Sequence, residues 1–374
     1  MTVVPRLVAL DLPIGEYLVR EVLQAWENGD VVLPLDQRMM PAVRRRLAVH
    51  LGAEMVVTAE GHETLATDET VFRVPLVSDD AAVIATSGST GIPKGVIHTH
   101  TSLNAHADMV RERLGLAAND HWWLCLPAAH IGGFGVLTRA MRCGSRLSFG
   151  NHPDEESMRK ALASGATHTA IVPTLAARSS LEGWRIVLVG GSRSGRLPEN
   201  AISTYGLTES CGGVVYDGHA LPGVQYTIRH GEVLLKTPSI ARSYRHAPIP
   251  QDEGWLATGD LGRIENGLLH IEGRKDDLII TGGNKVWPSV VEQRLREHPL
   301  VRDVVVRGIT DSEWGSIIRA YVVPQASTAV PTLESLRGHV KETLASYCAP
   351  RQLVILGTIP RTALGKVIFE ELPQ

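Results

Sequence analysis

Several things are scarce in this sequence, and each scarcity removes a class of answer. Cysteine is the first, with four in 374 residues: Cys125, Cys143, Cys211 and Cys348. They are scattered, with no C-x-x-C pair and no metal-ligand spacing, which argues against a disulfide scaffold or a structural zinc site. They read as free thiols of a reducing cytosol, buried as small hydrophobes. Net charge is also nearly absent, at −3, with 37 Lys and Arg against 40 Asp and Glu. There is no basic block and no basic stripe interleaved with aromatics, so a nucleic acid is not the expected partner. Long apolar runs are missing too. No stretch approaches the roughly 20 residues that a membrane helix needs. The opening MTVVPRLVALDLPIG has no basic start followed by an apolar run and a small-residue cleavage site, so no secretory signal is expected. These absences point to a cytoplasmic protein with no stable membrane insertion. Internal repeats and low-complexity segments are absent as well.

What remains is ordinary globular composition, 44% hydrophobic and 21% charged. The chain is too long for one hydrophobic core, so two or three domains are expected. In the middle, short apolar runs alternate with amphipathic stretches. AAVIAT (81–86), WWLCLP (122–127), HTAIVP and RIVLVGG read as buried strands, and SLNAHADMVRERLGL, FGVLTRAMRCG and DEESMRKALASG read as helices. Thr101 or Ser102 is the expected N-cap of the first helix, and Gly144 closes the second. Such alternation predicts an α/β domain with a largely parallel sheet. After about residue 220 the texture becomes β-rich, and Asn266-Gly267 marks a type I′ hairpin. From about 275 a small α+β unit follows. Its helices open at Pro288 and after Thr332, and its strands are VRDVVVRGI, IRAYVVP and QLVIL. The expected domains are therefore 1–275 and 276–374.

Chemistry concentrates in a few stretches. ATSGSTGIPKGV (85–96) packs Thr86, Ser87, Gly88, Ser89, Thr90 and Gly91 ahead of Lys94. Glycines let backbone N–H groups approach an anion closely, and successive N–H groups form an anion nest. Lys94 adds a mobile positive charge. The stretch reads as a phosphate loop, but not of the Walker A kind. On its own a Gly/Ser-rich run is more often a surface turn. Here the order of hydroxyls, glycines and Pro-Lys-Gly is what argues for phosphate.

TSGSTGIPKG is similar to the phosphate-loop signature of the adenylate-forming superfamily of acyl- and aryl-CoA synthetases, peptide-synthetase adenylation domains and luciferases. Four further stretches resemble its signatures in the correct order. YGLTES (205–210) resembles the second. The resemblance implies that Tyr205 and Gly206 lie on adenine, that the Thr208 hydroxyl reaches the phosphates and that Glu209 holds Mg²⁺. TGDLG supplies Asp260, implied to accept from both ribose hydroxyls. GRKDDLIITGGNKVWPSVVE supplies Arg274 for the ribose, Asp276 as the hinge of a mobile C-terminal domain, and Gly282-Gly283 along the CoA pantetheine. PRTALGKV supplies Lys366, implied to be the catalytic lysine. Taken singly, Asp260 would be a turn cap, 275–277 a solvated charge cluster and Lys366 a surface charge.

The resemblance thus implies an ATP-, Mg²⁺- and CoA-dependent ligase. A carboxylic acid and ATP give an acyl-adenylate and pyrophosphate, and CoA then gives a thioester and AMP. PAAHIGGFG places His130 as a gate of the acyl pocket and Gly132, Gly133 and Gly135 as its floor. Gly190, Gly191 and Ser192 run along the adenine and acyl group. The bland readings are a satisfied core histidine and a simple strand-end turn. Within the superfamily the chain is short, with an abbreviated first subdomain. In this it resembles the o-succinylbenzoate–CoA ligases of actinobacteria that serve menaquinone synthesis. CGGVVYDG then places Ser210, Gly212 and Gly213 by the aryl pocket, and Arg139, Ser210 and Tyr216 are candidates to hold a second substrate carboxylate. Another aryl- or acyl-CoA ligase is the alternative. A non-catalytic nucleotide-binding protein of this fold would not need Lys366. An amino-acid-activating domain would need an acidic residue that PAAHIGGFG lacks, and eight residues after Lys366 leave no room for a carrier domain. A homodimer is left open.

Overall fold

The computed structural model describes residues 4–66, 70–86, 93–151, 153–190, 197–326, 329–361 and 367–373. The chain forms two compact units. One comprises 1–227, 234–257 and 266–269, and the other 228–233, 258–265 and 270–374. The division runs through the β-rich segment that the sequence placed after residue 220.

The larger unit holds two seven-stranded sheets, where the alternation suggested one. In the first, Leu7–Leu10 lies parallel to Val31–Pro34 and to Met55–Thr58. Asp80–Thr86 continues it, followed by antiparallel Lys94–Thr99 and then Ser243–Tyr244 at the edge. The residues before 80 thus supply four of its strands. Their runs LVAL and VVLP are buried throughout, as expected for strands covered on both faces. In the second sheet Ile186–Gly190 is parallel to His168–Ile171 and Ala201–Leu207, and His121–Leu124 is parallel to Arg146–Phe149. Gly212–Tyr216 turns back antiparallel on Ala201–Leu207. The centre of each sheet is parallel, as predicted, and the antiparallel strands gather at the edges.

Helix His100–Leu114 begins two or three residues earlier than its sequence signals suggest. Thr99 is the N-cap, accepting from Ser102 N–H, while the Ser102 hydroxyl accepts from Thr99 N–H. This reciprocal capping box satisfies two orphan donors at once and outcompetes a cap at Thr101 or Ser102. Helix Ile131–Cys143 does end at Gly144 in the left-handed conformation. It starts before the FGVLTRAMRCG run, so Gly132 and Gly133 are helical. A Cβ at Gly133 would overlap the carbonyls of Leu126 and Pro127.

In the smaller unit, Val301–Asp311 and Gly315–Pro324 form a long antiparallel hairpin, with Gln352–Ile355 parallel beside it. Helices Pro288–Arg296 and Leu333–Lys341 contribute Val291, Leu295, Leu336 and Val340 to its core. Asn266 and Gly267 have φ of 51° and 79°, the positive pair that a type I′ turn requires. Among the described residues no helix is long and apolar enough to cross a membrane.

Candidate active site

The phosphate-loop stretch is bracketed by two antiparallel strands. Thr86 lies opposite Lys94, and its hydroxyl donates to the Lys94 carbonyl at 3.4 Å. Ser87, Gly88, Ser89, Thr90 and Gly91 lie outside the described residues, as do Gly191, Ser192 and Lys366. Lys94 is exposed, and its Nζ stands 5.1 Å from the centre of the Tyr244 ring. The pairing of Tyr244 with Val96 across the sheet edge brings that ring there. The Tyr244 hydroxyl in turn donates to Glu209 Oε1 at 2.7 Å. Burial first, then the neighbouring Glu209 charge, raises the Tyr244 pKa, so the phenol stays a donor.

Glu209 sits in a 3-10 turn, Thr208–Ser210, at the end of strand Ala201–Leu207. Its carbonyl accepts from Ala241 N–H at 2.8 Å. Among the described residues no group of three acidic, His or Cys side chains forms a metal cage. One carboxylate with an oxygen uncommitted among the described residues suits Mg²⁺, which takes hard oxygen ligands and completes its shell with phosphates and water. Tyr205 and Gly206 occupy the same strand, half-buried. A Cβ at Gly206 would overlap the Gly212 carbonyl, so the turn-back of the chain itself requires glycine there. Gly190 ends the neighbouring strand, where an added Cβ would stand 3.1 Å from the Thr204 hydroxyl.

Behind Gly212 and Gly213 lies a buried polar cluster with no acid among the described residues. Arg139 is 4% exposed, and its Nε has no hydrogen-bond partner among the described residues. Its guanidinium carbon lies 5.1 Å from the centre of the Trp122 ring. Tyr216 is 1% exposed and faces the same region. Desolvation lowers the Arg139 pKa. His106 Nε2 is 2.9 Å from the Gly213 carbonyl; because a carbonyl only accepts, Nε2 carries the proton. Burial, then the Arg139 charge, pushes His106 down to about 4. His98 is driven down to about 3 by burial and then by His106, and its Nδ1 lies 3.1 Å from Cys211 Sγ. A buried cation with no carboxylate partner is costly and is poised to receive an anion. Ser210, grouped with Arg139 on sequence grounds, is committed elsewhere. It is fully buried, and its hydroxyl closes the 3-10 turn onto the backbone of Leu207 and Gly212. Local turn chemistry takes the hydroxyl that the motif seemed to offer a ligand.

These histidines carry a pH dependence. Their native pKa values lie below the unfolded value of about 6.5, so the unfolded chain binds protons that the native chain refuses. Stability is present above about pH 6.5 and is lost as pH falls toward 4, by about 1.4 kcal/mol per unit for each histidine. Urea midpoints should fall over that window in the native protein, and less steeply in His98→Gln.

His130 caps the helix Ile131–Cys143, and its Nε2 lies 3.0 Å from Asp36 Oδ2. Gly132 is exposed, and a Cβ added at Gly135 would stand 3.0 Å from Arg139 Nη1. Gly212 has φ of +108°, with the His106 ring beside it.

In the smaller unit Asp260, 6% exposed, accepts from Arg274 Nη1 at 3.1 Å, and the same nitrogen donates to the Thr258 carbonyl at 2.8 Å. The two residues that the sequence linked to ribose are thus adjacent. Asp276 is exposed in the turn Lys275–Asp277. Gly282 and Gly283 form the two-residue turn between Ile279–Thr281 and Asn284–Val286, with φ of 53° and 78°. A type I′ turn accounts for this glycine pair without a ligand. Arg361 and Val367, which flank Lys366, pair in an antiparallel bridge, and Arg361 is anchored to Asp303 at 2.9 Å.

Tyr244, His106, Asp36 and Arg38 escaped the sequence reading. No local pattern marks them, since their relevance comes from partners 35 to more than 100 residues away.

Residues 37–245 match the AMP-binding enzyme family, and 290–366 match the AMP-binding enzyme C-terminal domain. A probable 2-succinylbenzoate–CoA ligase of Mycobacterium tuberculosis is 36% identical over 360 residues, covering 88% of this chain and 92% of that protein. The o-succinylbenzoate CoA synthetase of Bacillus subtilis, in complex with its acyl-adenylate intermediate, superposes with a TM-score of 0.86 at 25% identity, covering 99% of this chain and 88% of the other. The same enzyme with ATP and magnesium ion superposes at 0.84 and 25% identity, covering 98% of this chain and 89% of the other.

Proposed function

The chain belongs to the AMP-binding enzyme family, and on that premise we propose that it is an AMP-forming acid–CoA ligase acting on o-succinylbenzoate in menaquinone synthesis. The observation that carries the substrate is the buried guanidinium of Arg139, which has no acid partner among the described residues. A monocarboxylic acid activated at its only carboxylate would leave such a cation unneutralised, whereas an acid with a second carboxylate supplies the missing charge. Ligases of this substrate among the chain's relatives support the same reading.

A free carboxylate is a poor acyl donor because oxide is a poor leaving group. ATP bound with Mg²⁺ supplies an activated phosphorus and a stabilised pyrophosphate leaving group. The residues of this chain position and neutralise. Lys94 and the 86–91 stretch hold the departing phosphates. Tyr244 fixes one oxygen of Glu209 and leaves the other as the one that would hold Mg²⁺. Tyr205, Gly206 and Gly190 border the base, while Asp260 and Arg274 hold the ribose. Lys366 offsets charge between the acid and the α-phosphate. Asp276 is the hinge between the domains 1–275 and 276–374, and Gly282-Gly283 borders the thiol in the second step. A cytoplasmic location fits this chemistry.

The test is pyrophosphate release across o-succinylbenzoate, benzoates, cinnamates and fatty acids. Preference for o-succinylbenzoate is expected. Preference for a simple fatty acid overturns the substrate, and no release with any acid favours a binding protein.

A further inference from the structure

His130 is held from a part of the chain that the family match does not reach. Asp36 follows strand Val31–Pro34 and directly precedes residue 37, where that match begins. It is 6% exposed, and it forms a two-point pair with Arg38: Nε to Oδ1 at 2.8 Å and Nη2 to Oδ2 at 2.7 Å. The Arg38 backbone N–H adds a third bond to Oδ1 at 3.1 Å. Burial alone would raise the Asp36 carboxyl, but hydrogen bonds from Arg38 and His130 outweigh it and hold the group well below the usual carboxylate range.

Both members of this pair reach one ring nitrogen. His130 Nε2 lies 3.0 Å from Asp36 Oδ2 and 3.1 Å from Arg38 Nη2. With a proton on Nε2 the ring donates to Asp36, and without one it accepts from Arg38. Either tautomer is therefore held in the same place, and among the described residues Nδ1 takes no hydrogen bond. The loop that carries the pair is itself strapped. Asp11 accepts from Gln37 Nε2 at 2.6 Å and forms an ion pair with Arg44, and Arg44 Nη1 donates to the Gln37 and Met39 carbonyls.

We propose that Asp36, paired with Arg38, is the positioning residue for His130, and that through this latch the first sheet of the fold sets which acids the pocket accepts. The proposal rests on the reading of His130 as a gate of the acyl pocket. It gives the N-terminal segment a part in specificity, where the sequence offered none.

The experiment is a double-mutant cycle of Asp36→Ala and His130→Ala, with Asp36→Asn as the conservative partner, read by acid-dependent pyrophosphate release. Asp36→Ala should raise the KM for the acid and flatten the preference between aryl and straight-chain acids, roughly tenfold or more. The KM for ATP should stay unchanged, and the substitution should add nothing once His130 is alanine. Additive effects, or an equal rise in the KM for ATP, overturn the proposal. A second measurement needs no catalysis. In ¹⁵N-histidine spectra, Asp36→Asn should move the Nε2 resonance of His130 and leave the other imidazoles in place. An unmoved His130 overturns the latch whatever the activity. Absence of pyrophosphate release from the unsubstituted protein with every acid overturns the functional reading and leaves the spectroscopic test standing.

Discussion

Lys366→Ala nearly abolishes acyl-adenylate formation, by about 10²–10³-fold or more, while thioester formation from a supplied acyl-adenylate proceeds largely intact. The expectation follows from where charge moves. In the first step a carboxylate approaches a polyphosphate, two anions that an ammonium group can bring together. In the second a thiol attacks a mixed anhydride and AMP leaves, with no new anion–anion encounter at that place. Separate assays of the two half-reactions measure the split, pyrophosphate release for one and thioester formation from synthetic adenylate for the other. Equal loss in both would remove Lys366 from the adenylation step. The substitution lies between Arg361 and Val367, whose bridge and ion pair to Asp303 anchor the flanks, so the fold should survive it.

Arg139→Met gives the second large effect, and an unusual combination. The KM for o-succinylbenzoate should rise by about a hundredfold or more, the cost of removing one partner from a buried charge pair. Benzoylpropionate, the same skeleton without the ring carboxylate, should be unaffected or improve. Thermal stability should hold or rise, because the change deletes a buried cation with no acid partner among the described residues. Met also retains much of the apolar contact with Trp122. Parallel loss for both acids would make Arg139 a packing residue. A fall in melting temperature with unchanged selectivity would assign its charge to the fold.

The signatures were legible because each is a short, local pattern of backbone and side chains. Asp260 and Arg274 could be grouped from motif order alone, and the structure puts them 3.1 Å apart. The Asn266-Gly267 hairpin was equally local, fixed by which residues tolerate positive φ. The same local rule also misled. Ser210 spends its hydroxyl on its own turn rather than on a ligand, while the Gly282-Gly283 turn needs its glycines with or without a thiol chain beside it.

The sequence by itself therefore determined the nucleotide chemistry, the order of the motifs and the α/β class, all set by short-range pattern. Only the tertiary structure decided what surrounds those motifs. Sheet pairing carries Tyr244 to Lys94 and Glu209. Burial strips Arg139 of solvent without giving it an acid among the described residues. An aspartate at position 36 reaches a histidine at 130. Such relations depend on which strands pair and which groups lose water together. Spacing along the chain encodes neither.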